Sequence, residues 1–141
     1  MAEEQKTRPT EVDVAAFVEG IDDERTRADC DALIGLLQEV TGHEPVMWGP
    51  SIIGFDRYHY RYESGREGDA AVLGFSPRVG RLSIYLVDGI DQHTEALSRL
   101  GRHSSTKVCL HVKRLADVDL AVLTDVLRAS YATTRAAYPR D

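Results

Sequence analysis

Between Arg57 and Glu63 the chain alternates without a break, with Tyr58, Tyr60 and Tyr62 on one side and Arg57, His59 and Arg61 on the other. Only an extended strand puts every second side chain on a common face, so this stretch reads as β-structure. Just upstream stands Val46-Met47-Trp48-Gly49-Pro50-Ser51-Ile52-Ile53-Gly54-Phe55. Pro50 fixes its own backbone and restricts Gly49. Val46 to Trp48 therefore reads as a short strand that stops at a stiff turn, and Ile52 to Phe55 as the beginning of the next.

Before Pro45 the period is helical. Val14, Phe17 and Val18 share a face of a short helix from Val12 to about Glu19, which Gly20 stops. Asp22 or Asp23 can cap a second helix, whose inward face reads Ala28 or Cys30, Leu33, Leu36, Leu37 and Val40. Gly42 fits the left-handed position that ends it. Beyond the tyrosine strand, Ser64-Gly65-Arg66-Glu67-Gly68 reads as a hairpin loop. Further strands are expected over Ala70 to Ser76, Arg81 to Val87 and Lys107 to Val112, with a short helix over Thr94 to Leu100. Asp117 or Asp119 caps a last helix through Leu120, Leu123, Val126, Leu127 and Tyr131. The expected fold is α+β: an antiparallel sheet of about five strands, with the N-terminal helices and a C-terminal helix packed on one face. Residues 1–10 are expected to be a flexible N-terminus, 11–135 a single domain and 136–141 a tail.

At 141 residues the chain is one domain's worth. A domain of this size buries about 68–70% of its unfolded surface and needs neither disulfide nor structural metal. Cys30 and Cys109 stand alone, without a CxxC context, and are expected to be reduced small hydrophobes. No apolar run approaches the roughly 20 residues of a membrane helix. The polar start, Met1 to Lys6, lacks a signal core, so a cytoplasmic location with no membrane partner is expected. Residues 1–44 carry twelve acidic and four basic side chains, and the remainder eleven and thirteen. A net charge of −6 argues against nucleic acid as a partner, because nucleic-acid binding wants a concentrated positive surface. The basic part leaves room for a local anion site.

Several segments resemble the YdhG-like family, a family of domains of unknown function (number 1801). They are Met47 to Phe55, Tyr58-His59-Tyr60, Ser64 to Gly68, Gly74-Phe75-Ser76-Pro77-Arg78, and Cys109 to Leu115 with Asp117-Val118-Asp119. The resemblance runs from about Phe17 to Tyr131 with the segments in order. It implies a layout like that of frataxin, with helices on one antiparallel sheet. Some members of the family are described as iron-binding chaperones. The family has no agreed catalytic residues, so none is carried over; its recurrent Trp-Gly-Pro matches Trp48, Gly49 and Pro50.

Four groups of residues are candidates for function. Trp48 and the Ser51 hydroxyl could be positioned by the Gly-Pro turn; the plainer alternative is a core Trp48 beside a chain reversal. Arg57, His59 and Arg61 form a cationic stripe that Arg78, Arg81, Lys107 and Lys113 could join. Such a set suits carboxylate or phosphate. The alternative is a solvated face balanced by Glu63, Glu67 and Asp69. Tyr58, Tyr60 and Tyr62 would then be the core face. Glu19, Asp22, Asp23 and Glu24 could offer oxygen ligands to iron, or could serve as caps and helix-dipole partners. The five histidines show no metal-ligand spacing, though His59 and His111 could be neighbours if their strands pair. No nucleophile with a base and an orienting group can be assembled, and Ser51 lacks the GxSxG elbow.

The expectation is a binding module rather than an enzyme, its ligand a small anion or a protein, at Trp48, Ser51, Arg57, His59, Arg61, Arg78 and Lys107. The alternative is a frataxin-like iron chaperone. No cofactor is expected apart from weakly bound iron, and the chain is expected to be a monomer or a homodimer.

Overall fold

Asp13 starts the first helix, α1 (Val14–Glu19), by accepting a hydrogen bond from the Ala15 N–H. This satisfies one of the donors a helix leaves open at its first turn. The computed structural model describes the chain from Pro9 to Pro139. Asp23 caps α2 (Glu24–Thr41) in the same way, and Gly42 leaves it at φ 71°. α2 buries Cys30, Leu33, Leu37 and Val40 of the inward stripe read from the sequence, while Leu36 is only partly buried.

Eight strands follow among the described residues: β1 (Pro45–Trp48), β2 (Ile52–Phe55), β3 (Tyr58–Arg61), β4 (Glu67–Ala70), β5 (Leu73–Arg78), β6 (Arg81–Leu86), β7 (Ser104–Ser105) and β8 (Cys109–Val112). A 3-10 turn (Ile90–His93) runs into the short helix α3 (Thr94–Leu97) between β6 and β7. The last helix, α4 (Leu120–Ala137), is capped by Asp119, whose side chain accepts from the Ala121 and Val122 N–H groups.

Six strands form one antiparallel sheet in the order β1-β2-β5-β6-β8-β7, and β3-β4 form a separate hairpin. α2 and α4 pack on each other and on the middle of the sheet. The α+β layout expected from the sequence is therefore the fold. The core beneath the helices holds Met47, Ile53, Phe55, Leu73, Phe75, Leu82, Ile84, Leu86, Leu110 and Val112 from the sheet, against Leu33, Leu37, Leu123, Val126 and Leu127 from the helices.

Two differences from the sequence reading matter. First, the strand count is higher. The runs from Ile52 and from Ala70 each split in two, because they belong to a single long hairpin that bends; Glu67 and Gly68, expected in its loop, are the start of β4, and β7 is an added edge strand. Phe55 faces Leu73 before the bend and Tyr58 faces Ala70 after it, so the register is unchanged. The bend falls at Asp56, the one described non-glycine residue with positive φ (62°). Its buried carboxylate accepts the Tyr131 hydroxyl at 2.8 Å and lies 3.8 Å from the Arg135 guanidinium, which ties the bend to α4. Second, the tyrosines are not the core face. Tyr58 and Tyr60 are half-buried and Tyr62 is 56% exposed. They stack along the hairpin, with Tyr58 against Tyr138 just beyond α4. The bend carries this alternation away from the sheet, so its apolar side meets α4 only at its C-terminal end, through Tyr58 and Tyr138.

Both sheet edges are blunt, which limits strand addition. Pro9 bridges to Trp48, and the Thr10 N–H donates to the Met47 carbonyl along the outer side of β1. β7 closes the other edge with two residues. Of the N-terminus expected to be flexible, residues 1–8 lie outside the described residues, whereas Pro9 and Thr10 are held by β1. Residues 140–141 of the expected tail also lie outside them.

Candidate functional site

Strand alternation sends Leu82, Ile84, Leu86, Leu110 and Val112 under the helices, so their neighbours Arg81, Ser83, Tyr85, Cys109 and His111 point to the opposite face, which is open at Arg81, half-covered at Tyr85, Cys109 and His111, and closed over Ser83. The register then aligns them. Ser76 faces Ser83, Ser83 faces His111, and His111 faces Ser104, giving one row across four strands. Two residues further along β5 and β6, on the same face, stand Arg78 and Arg81, while Lys113 follows the end of β8 and Arg102 precedes the start of β7. Arg78 and Arg81 are paired directly. Arg81, Arg102, His103, Ser104, His111 and Lys113 line a common shallow depression of about 320 Å³.

Among the described residues, Arg78, Arg81, Arg102 and Lys113 make no ion pair, while Arg61, Arg99, Arg114 and Arg135 each have a carboxylate within 4 Å. Behind the cations, Ser83 Oγ and His111 Nδ1 are 2.9 Å apart, and the buried Ser76 hydroxyl donates to Ser51 Oγ at 3.1 Å. Burial holds the His111 pKa below its ordinary value of 6.5, and the positive charges of Arg81 and Arg78 push it the same way. Like charges that depress a histidine would be neutralised by an anion.

The stripe expected at Arg57, His59 and Arg61 lies elsewhere. These three line a separate hollow with Arg135, Asp69 and Tyr138. His59 Nδ1 is 2.9 Å from Asp69 and its Nε2 3.4 Å from Glu67, which also lies 3.6 Å from Arg61. The cross-strand carboxylates of β4 thus balance most of the stripe. The Arg57 guanidinium sits 5.7 Å from the centre of the Trp48 ring. Trp48 itself is 3% exposed. It is packed outside the core beneath the helices, over Gly54 and beside Ala71.

The candidate residues therefore divide. Trp48 and Arg57 meet each other, Ser51 meets Ser76, and His59 and Arg61 belong to the β3–β4 hairpin. Arg78 joins the cation row. Lys107 lies before the opposite end of β8 from Lys113, where its carbonyl accepts the Ile90 N–H at 3.0 Å. His59 and His111 lie in different sheets. Arg102, His103 and Ser104 had no sequence signal, because β7 is too short to show alternation. The signal for Arg78, Arg81 and Lys113 was their position at strand ends.

The acidic front acts locally among the described residues. Asp23 caps α2 through its Oδ1 and accepts the Thr26 hydroxyl at 2.7 Å through its Oδ2, a bond that holds its pKa below the ordinary carboxylate value. The Asp22 carbonyl accepts from Arg27 at 3.2 Å. Asp29 accepts from Arg114 Nε at 3.0 Å and from the Leu115 N–H at 3.2 Å. No three His, Cys, Asp or Glu side chains stand together in an arrangement that could hold a metal ion, among the described residues.

One buried constellation contains hydroxyl, carboxylate and imidazole. Ser130 donates to Asp88 Oδ1 at 2.6 Å, and His93 Nε2 lies 2.9 Å from Asp88 Oδ2. Asp88 stands between the other two, so the imidazole does not contact the hydroxyl and cannot take its proton. The group ties the loop after β6 to α4. No described helix is long and apolar enough to cross a membrane.

No family model matches the chain, and no significant match was found among curated proteins or solved structures. The resemblance to the YdhG-like family rests on the sequence segments alone.

Proposed function

We propose that this domain binds a small anion on the open face of its sheet, at Arg78, Arg81, Arg102 and Lys113, and acts as a binding module rather than an enzyme. The observation that supports this is the row itself: Arg78 and Arg81 paired across two strands, with Lys113 and Arg102 just outside the ends of the next two, none with a carboxylate partner among the described residues, in a chain of net charge −6. Arg guanidinium groups fit carboxylate and phosphate oxygens two at a time, and convergent donors supply that geometry. The Ser83 hydroxyl is buried, so it orients His111 rather than presenting a nucleophile.

Calorimetric titration with orthophosphate and citrate at low ionic strength tests the reading. Binding should weaken with added salt, as exposed charge pairs do. The double variant Arg78→Ala/Arg81→Ala should lose at least tenfold in affinity, the effect of removing one charge-assisted bond or more. Arg57→Ala/Arg61→Ala should leave it unchanged. Equal affinity of both double variants and the parent would refute the assignment to this face.

A further inference from the structure

The cation row is one end of a longer strip. Along β6, Arg81, Ser83 and Tyr85 follow one another on the open face, and Tyr85 faces Gly74 on one side and Cys109 on the other. Tyr85 is half-buried. Among the described residues it makes no ring contact and no side-chain hydrogen bond, whereas Tyr58, Tyr60, Tyr62 and Tyr138 stack with one another. Its neighbour Gly74 carries no side chain because a β-carbon there would lie 2.9 Å from the Ile53 carbonyl oxygen. The ring is therefore flanked by a bare backbone position. Four rises of extended strand separate Arg81 from Tyr85, about 13 Å. Between them lie the hydroxyl of Ser83 and the imidazole of His111.

From this order we infer that the ligand is a phosphate ester with an aromatic ring, of the nucleotide class. The phosphoryl group would sit on Arg78, Arg81, Lys113 and Arg102, the polar middle over Ser83 and His111, and the ring against Tyr85. The inference rests on the anion reading above and adds the ring. A base stacked on an aromatic side chain is worth about tenfold in affinity or more, and tolerates different bases because each has a π-face.

Titrations of the full chain with adenosine monophosphate, ribose 5-phosphate and orthophosphate separate the two claims. Adenosine monophosphate should bind about tenfold or more tightly than ribose 5-phosphate. Tyr85→Ala should bring it down to the ribose 5-phosphate level and leave ribose 5-phosphate unaffected. Tyr85→Phe keeps the ring and should keep the preference, which guards against a folding defect in the alanine variant. Equal affinity for the two esters in the parent chain overturns the aromatic inference and leaves anion binding standing. Absence of binding by all three overturns both.

Discussion

Ser83 Oγ lies 2.9 Å from His111 Nδ1, across neighbouring strands of the open face. The contact fixes one ring nitrogen, and among the described residues Nε2 has no partner. His111 is thus both a neighbour of the cation row and its reporter. Its pKa is held below 6.5 by burial first and by Arg81 and Arg78 next. Saturation with phosphate should raise it, and so should Arg78→Ala/Arg81→Ala, as read from the pH dependence of the imidazole resonances. The sign for stability follows from linkage. The unfolded imidazole takes up its proton at a higher pH than the folded one. The folded state is therefore favoured above about 6.5, and this contribution is lost as pH falls toward the lowered folded value. A His111 that titrates above 6.5 in the free protein would contradict the arrangement.

Gly54 lies beneath the Trp48 ring. A β-carbon there would come within 2.4 Å of Trp48 Cδ1 and 2.8 Å of the Ala71 β-carbon. Gly54→Ala should destabilise the domain by about 1–3 kcal/mol, the usual cost of overpacking. Tryptophan emission should shift to the red as the ring is displaced. Unchanged emission and unchanged urea midpoint would mean that the ring is not packed on Gly54.

Asp29 joins α2 to the segment after β8, 85 residues later in sequence, through Arg114 Nε and the Leu115 N–H. Its side chain is 15% exposed, so the two donors would lose a partner away from bulk water. Asp29→Ala should cost about 1–3 kcal/mol in urea denaturation. Glu24→Ala, on the exposed first turn of the same helix, should cost a few tenths of a kcal/mol. Equal effects would remove the special role of Asp29.

Cys30 and Cys109 should differ in reactivity. Burial pushes the Cys30 thiol up to about 12, with Asp31 and Asp29 adding to the shift. The thiolate is the reactive form. Cys109 is half-buried on the open face. A thiol reagent at neutral pH should modify Cys109 in the folded protein and reach Cys30 only after denaturation. Rapid modification of both in native buffer would show that α2 does not enclose Cys30 as described.

The sequence by itself determined the layer structure. The three-four spacing of Leu33, Leu37 and Val40, the caps at Asp23 and Asp119, and the alternation along β6 and β8 are local signals. Each is set by backbone geometry within a few residues. What the sequence could not supply was which strands are neighbours. The tyrosine alternation marked a strand correctly, yet the bend at Asp56 took that strand off the sheet. The bend depends on Tyr131 and Arg135, some eighty residues away. The cation row has the same origin. Arg78, Arg81, Lys113 and Arg102 are ordinary strand-end residues until antiparallel pairing brings four strands into one register. Local sequence fixes which face a side chain takes, because alternation is a property of one strand. Its charged neighbours across the sheet are fixed only by long-range pairing, and for that reason tertiary structure alone decided where this protein gathers its positive charge.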